Sequence, residues 1–295
     1  MCGIVGMCFR STGVGKRGFT ANRHRAGFTR MLVAAQERGA AATGVLLISR
    51  EDKESKPKAT VLRAPLPAKD FVETDEYKGL MEKLNASTIS IMGHTRAVSD
   101  TVATAKNNKN NHPHCAGSIV GVHNGRVLND KNLWVKYSAY MSPKSKCDSE
   151  AIFALINRKL GLGDKGTFTA ISRATAELKG WGAVALVNLM EPNKVFLYRD
   201  GIESPLTLAW YDNDEMAAYG THRSYIEDGV RGYQGKITYR KVDPLQVVAI
   251  DSESPGKERG DFFVETRRLK TTETLEDRRK MIEEHQEEYN VTQGK

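Results

Sequence analysis

The second residue of the chain is a cysteine, in the run Met1-Cys2-Gly3-Ile4-Val5-Gly6. If Met1 is removed, which a side chain as small as cysteine generally permits, Cys2 carries a thiol and a free α-amine together. That pairing is a self-contained nucleophile and base. The amine's ordinary pKa of about 7.7–8.0 suits a general base near neutral pH. Position alone favours a plainer alternative, because cysteine is among the most buried residue types and could sit inert in a first strand. Further polar groups are needed to reverse that balance. Gly93-His94-Thr95-Arg96 and His123-Asn124-Gly125 each follow an apolar strand, and Cys147-Asp148-Ser149-Glu150 opens an apolar helix. Read locally, Asn124-Gly125 is a two-residue hairpin turn and Asp148 is a helix N-cap.

Two other signals compete. Gly13-Val14-Gly15-Lys16-Arg17-Gly18 satisfies G-x-G-x-x-G after a strand. Only Glu37 stands near the place of the expected acidic residue, and no apolar helix begins at the third glycine. The stretch reads as a flexible basic loop, not a dinucleotide site. His112, His114, Cys115 and His123 are metal-ligand types, but the tight HPHC cluster lacks the paired spacing of zinc sites, so no metal is assigned. No Walker A sequence occurs, and no cofactor is called for.

These residues must be positioned by regular elements. Cys2 to Phe9 reads as a buried strand. Phe28, Met31, Leu32 and Ala35 recur at helical spacing and close at Arg38-Gly39. Gly44–Ser49 and Ala59–Ala64 read as a hairpin around a charged loop, and Thr74–Leu84 as a helix. Ile89–Met92 and Ile119–Val122 read as strands running straight into the polar motifs. Helices are expected from Asp148 to about Leu160 and from Thr167 to Leu178, and mostly strands from Trp181 onward. Strands, two helices, then strands describe a layered α+β domain. Beyond Thr271 the chain turns highly charged. Leu275, Ile282, His285 and Tyr289 form at best a partial apolar stripe on an appended helix, most simply a solvated one.

Composition bounds these readings. With 295 residues, 40% hydrophobic and 27% charged, the chain can build a full core, which excludes whole-chain disorder. Its longest apolar runs fall short of the roughly 20 residues that span a bilayer, and MCGIVGMCF is not a secretory signal. Four cysteines, at 2, 8, 115 and 147, form no disulfide framework, which points to a cytoplasmic setting. The net charge of +8 gives a loose attraction to polyanions, with neither nucleic acid nor membrane expected as a partner. No acidic residue precedes Glu37, whereas Arg10, Lys16, Arg17, Arg23, Arg25 and Arg30 do.

Taken in order, MCGIVG, ERGAAATG around Arg38, GHTR, the HPH of His112–His114, HNG and DSE resemble the class II glutamine amidotransferases. This is the branch of the N-terminal nucleophile hydrolases that begins Cys-Gly-Ile. Each motif alone is weak, and the ordered set is specific. The resemblance covers roughly residues 2–250, leaving 251–295 as a terminal strand and a charged helical extension. It implies a four-layer α-β-β-α sandwich, in which two strand-rich sheets pack face to face between helical layers.

The resemblance also implies roles. Cys2 sulfur would attack the side-chain amide of glutamine, with its own amine accepting the proton. The Asn124 side chain and the Gly125 backbone N–H would hold the oxyanion. Arg96 would hold the substrate α-carboxylate, Asp148 its α-ammonium, and Ser99 would donate a hydrogen bond where the family commonly has Thr. The sequence departs from the family at Ala97, where many members have Trp, and at Asp100, where many have His. Related enzymes usually carry a second domain that consumes the ammonia. Here only about 45 residues follow Ile250, so an ammonia-accepting partner enzyme is expected. Two alternatives stay open: a stand-alone hydrolase of γ-glutamyl amides, and a catalytically silent binding or scaffold protein.

Overall fold

The structure is a computed structural model that describes residues 2–10, 20–52, 54–97, 103–163, 166–201, 204–211, 216–233, 235–255, 262–269 and 274–292. Ser99, Asp100 and the Gly13–Gly18 stretch lie outside the described residues. The chain begins with β1 (Gly3–Phe9), α1 (Ala21–Ala34), β2 (Ala42–Ser49), β3 (Lys58–Ala64), α2 (Ala68–Phe71), α3 (Asp75–Glu82) and β4 (Thr88–Arg96). It continues with β5 (His114–Ala116), β6 (Ile119–Val127), α4 (Asp130–Lys136), α5 (Glu150–Gly161), α6 (Thr167–Thr175), β7 (Gly180–Asn188) and β8 (Lys194–Arg199). Then come β9 (Thr207–Tyr211), β10 (Met216–Gly220), α7 (Arg223–Gly229), β11 (Ile237–Lys241), β12 (Gln246–Pro255), β13 (Phe262–Arg268) and α8 (Leu275–Thr292).

The strands form two antiparallel sheets. One runs β11-β9-β10-β1-β4-β2-β3 and the other β13-β12-β8-β7-β6-β5. Side chains alternate across a strand, so a strand covered on both faces must be apolar at every position. β1 shows this directly. Val5, Met7 and Phe9 join a core with Phe28, Met31 and Leu32 of α1 and Tyr225 and Ile226 of α7. Ile4 and Cys8 point the other way, into a core with Met92, Val120, Val122, Ala185 and Leu197 from both sheets. A third core packs Val184, Leu186 and Phe196 under Phe153 and Ile156 of α5 and Ile171 of α6. Helices, sheet, sheet, helices is therefore the layer order, the α+β four-layer α-β-β-α sandwich. Each fully buried Phe, Leu or Ile in these cores contributes roughly 1.5–3 kcal/mol.

Two local expectations are corrected. GHTR and HNG do not follow their strands but lie within them, at the ends of β4 and β6. β4 is paired on both sides, by β1 and β2, and the HNG part of β6 is paired with β7, so backbone pairing carries each strand through its polar residues. Asn124-Gly125 is thus no hairpin turn: Asn124 faces Ala183 and Gly125 faces Gly182 in the β6–β7 ladder. The expected helices at Thr74 and Thr167 and the hairpin of β2 and β3 form as read. The short helices α2, α4 and α7, with too few turns to show a period, are additions. Among the described residues no helix is long and apolar enough to cross a membrane.

α8 is not simply solvated. Ile282 and Arg278 are buried, and His285 meets the ring of Trp181 at 5.7 Å. Arg278 is 1% exposed; its Nη1 donates to the Gly180 carbonyl on β7 and lies 3.4 Å from Asp200 Oδ2. The charged helix is pinned by a buried cation.

Candidate active site

The register of the two sheets sets the site. Gly3 pairs with Thr95, and Ala42 pairs with Arg96, so the start of β1 and the end of β4 lie side by side with Cys2 at their edge. Cys2 is half-buried, and its Sγ accepts from the Ala97 N–H at 3.4 Å. Burial pushes the thiol up; the Ala97 N–H and nearby positive charges, Arg96 and Arg38 among them, pull it back.

The Cys2 carbonyl takes two donors. Arg38 Nε reaches it from the turn after α1 at 2.8 Å, and Asn124 Nδ2 reaches it from the opposite sheet at 2.8 Å. The second bond joins the two sheets at Cys2. Asn124 Nδ2 also donates to Thr221 Oγ1 at 3.1 Å, and that hydroxyl accepts from the Ile4 N–H at 2.8 Å. Because the Cys2 carbonyl can only accept, the amide nitrogen must face it and the Asn124 orientation is fixed. Gly125 follows in a place only glycine fits, since a Cβ there would stand 2.0 Å from the Trp181 carbonyl.

Arg96 is 7% exposed, under the segment that starts at Ala103. Its Nη1 donates to Asn111 Oδ1 at 2.7 Å and its Nη2 to the Ala103 carbonyl. Among the described residues these two bonds engage two of its five N–H donors.

Asp148 corrects the N-cap expectation. α5 begins at Glu150 with Ser149 in the cap position, and the Asp148 carboxylate accepts instead from the Val127 N–H at the end of β6, at 2.7 Å. Its neighbours are equally engaged. Ser149 Oγ meets His123 Nδ1 at 2.8 Å, and the buried Glu150 carboxylate accepts from the Lys144 and Ser145 backbone N–H groups at 2.8–3.1 Å. Asp148 and Ser149 therefore tie the start of α5 to the strand that carries Asn124, and Glu150 ties it to the preceding loop.

The structure brings Cys2, Arg96, Asn124, Gly125 and Asp148 to one end of the sandwich. It adds three residues to which the sequence reading gave no role: Arg38, Thr221 and His222, whose Nε2 lies 2.8 Å from Arg38 Nη1. Arg38 had a signal, since it stands inside the ERGAAATG motif. Thr221 closes a strand and had none.

Comparison with known proteins gives a consistent picture. A family model described as a glutamine amidotransferase domain matches residues 95–227, a span that holds Arg96, Asn124, Gly125, Asp148 and Thr221 but not Cys2. The glutamine–fructose-6-phosphate aminotransferase (isomerizing) of Thermococcus kodakarensis is 31% identical over 173 residues, 53% of this chain and 27% of that protein. The enzyme of the same name from Aeropyrum pernix is 29% identical over 254 residues, 81% of this chain and 37% of that protein. The chain spans about a quarter to a third of the length of these relatives. Among solved structures, glutamine phosphoribosylpyrophosphate amidotransferase from B. subtilis, complexed with ADP and GMP, superposes with a TM-score of 0.63 at 16% identity, over 91% of this chain and 49% of that one. A structure described as the allosteric regulatory enzyme of purine biosynthesis does so with a TM-score of 0.66 at 17% identity and the same coverage. At such identity the superpositions speak for the fold, and the ordered motifs and the family match speak for the rest. Residues 95–227 match the glutamine amidotransferase domain family, and the chain is similar over most of its length to class II glutamine amidotransferases.

Proposed function

We propose that the chain hydrolyses the side-chain amide of glutamine through a thioester on Cys2. The observation that carries this reading is the placement of Cys2: sulfur just ahead of β1 beside the Ala97 N–H, carbonyl held by Arg38 and by Asn124 from the facing sheet. With Met1 removed, the sulfur adds to the amide carbon while the new α-amine takes the thiol proton. Collapse of the tetrahedral intermediate returns that proton to the leaving nitrogen, and ammonia departs. Water then cleaves the thioester, giving glutamate and the free thiol. Asn124 and the Gly125 N–H hold the oxyanion, while Arg96 and Asp148 receive the two charges of the amino acid.

The relatives' names couple glutamine to an acceptor, a sugar phosphate in one case and phosphoribosylpyrophosphate in the other. This chain spans only part of them. The released ammonia is proposed to pass to an acceptor on a partner protein in the cytoplasm. Residues 2–250 form the amidotransferase unit in this reading. Residues 251–295, which hold the end of β12, β13 and α8, form its extension.

Intact-mass analysis after treatment with a glutamine-analogue electrophile tests the reading. The expected product lacks Met1 and carries one adduct, mapped to Cys2. Unmodified Cys2 under conditions that inactivate the enzyme would remove the mechanism. If γ-glutamyl amides other than glutamine turn over faster, the stand-alone hydrolase takes its place.

A further inference from the structure

Behind the proposed substrate pocket three potential ligands converge. The ligand atoms of His112, His114 and Cys147 all lie within 4.8 Å of one another. The three residues are 4%, 3% and 6% exposed. Both ring nitrogens of His112 and Nε2 of His114 are buried with no hydrogen-bond partner. A buried polar atom left unpaired costs on the order of 1–3 kcal/mol, so such a concentration of unpaired nitrogens asks for an occupant. The imidazole rings of His112 and His114 stand 4.6 Å apart, centroid to centroid.

We propose that His112, His114 and Cys147 bind one zinc ion. Zinc takes imidazole nitrogen and thiolate sulfur in a tetrahedron, at about 2.0–2.1 Å and 2.3 Å, which places ligand atoms roughly 3.3–3.6 Å from one another. Closing from the present separation needs side-chain movements of about an ångström. Burial holds both imidazoles well below their ordinary value and hence neutral, the form that ligates. Burial, with the Asp148 charge adding, pushes the Cys147 thiol up to about 12, so binding must release its proton to solvent as the sulfur–zinc bond forms. The zinc thiolate and two neutral imidazoles leave one net positive charge. The Asp148 carboxylate, with Oδ1 3.8 Å from Cys147 Sγ, stands beside it as counter-charge.

The scaffold around the cluster is already fixed. Arg63 Nη1 donates to the carbonyls on either side of His112, to Asn111 at 3.0 Å and Pro113 at 3.2 Å. A surface cavity of about 610 Å³, whose lining includes Arg63, His114 and Lys144, gives the ion a way in. The role is structural. Asn111, the partner of Arg96, directly precedes His112, and Asp148 directly follows Cys147, so the ion would clamp together the two segments that set those side chains. Nothing in this inference depends on the amidotransferase reading, because the readout is metal binding.

The test uses the full-length protein, stripped with a chelator and titrated with Zn²⁺ or Co²⁺. One equivalent of Zn²⁺ per chain is expected, and X-ray absorption of the zinc-loaded wild type should count one sulfur and two imidazole nitrogens. Co²⁺ should give a thiolate-to-metal charge-transfer band that survives in Cys115→Ser and Cys2→Ala. In Cys147→Ser the band should vanish and Zn²⁺ affinity fall at least about 100-fold, the upper end of the loss for a mere outer partner. Absence of stoichiometric binding by the wild type, a sulfur-free absorption spectrum, or a band lost in Cys115→Ser or Cys2→Ala instead would overturn the proposal. If Cys147→Ser does not fold, the wild-type absorption measurement decides.

Discussion

The side-chain amide of Asn124 donates to the Cys2 carbonyl at 2.8 Å and to Thr221 Oγ1 at 3.1 Å, and not to the Cys2 sulfur. Both amide protons are thus committed in this state. In the proposed mechanism, an oxyanion forming above Cys2 would draw one of them away. Thr221 is the partner that can release it, since its hydroxyl keeps the Ile4 N–H at 2.8 Å and needs no second donor. The bond to the Cys2 carbonyl can then persist as the hinge that keeps the amide aimed.

Asn124→Ala is therefore expected to lower kcat by about 10²–10³, the usual loss for one oxyanion donor, and to change KM little. In the proposed mechanism the interaction would form in the transition state and not in the bound substrate. Steady-state kinetics with glutamine checks this. A pure KM effect would assign the side chain to holding Cys2 alone.

Recognition of the amino acid separates two roles. Arg96→Lys keeps the charge but loses the planar fork, and KM should rise for glutamine and for its analogue lacking the α-amine alike. Asp148→Asn should raise KM for glutamine and spare that analogue. Its stability should barely change, because an amide oxygen still accepts from the Val127 N–H, the bond the carboxylate makes at 2.7 Å. Equal effects of both variants on the two compounds would show that the pocket reads a different head group.

How far the sequence reaches can be judged from these residues. The strands were legible because both sheets are covered on both faces, so β1, β6 and β7 read as apolar runs. The polar ends of β4 and β6 were not, because a local reading takes polarity for the end of a strand and cannot see the neighbouring strands that pair with it. Asp148 was misread for a similar reason: its partner, Val127, is 21 residues away and belongs to another element. Cys2, Arg96 and Asn124 could be singled out as candidates because each stands in an ordered motif. Arg278 could not, since its partner carbonyl lies 98 residues away and its neighbours are charged.

Glu177 gives a pH-dependent stability that the active site does not enter. Burial raises its carboxyl, but hydrogen bonds from Lys136, Lys159 and Tyr137 outweigh this and hold it at about 2. A carboxyl depressed on folding stabilises above its unfolded value, near 4.5, and loses that stabilisation as pH falls through the folded value. Glu177→Gln should be less stable than wild type at neutral pH, by at most about 3 kcal/mol, with Lys159 left buried beside a neutral amide. Thermal unfolding curves of the two proteins should converge as pH drops from about 4.5 toward 2. A constant gap across that range would mean that the carboxylate's charge contributes nothing.

The final prediction concerns α8. Arg278 is 1% exposed and faces both the Gly180 carbonyl and the Asp200 carboxylate, which is itself buried. Removing one member of a buried ion pair typically costs about 3–5 kcal/mol, because the other charge stays behind without compensation. Replacing both by apolar groups of similar volume is often neutral. Arg278→Met should therefore destabilise strongly, and Arg278→Met with Asp200→Leu should recover much of the loss. Denaturant unfolding of the two single variants and the double gives the coupling directly. Because Gly180 pairs with Val127, whose N–H holds Asp148, the single Arg278 variant should also raise KM for glutamine. Additive losses, with no recovery in the double variant, would mean that the helix is held by its packing through Ile282 and His285 and that the buried cation is incidental.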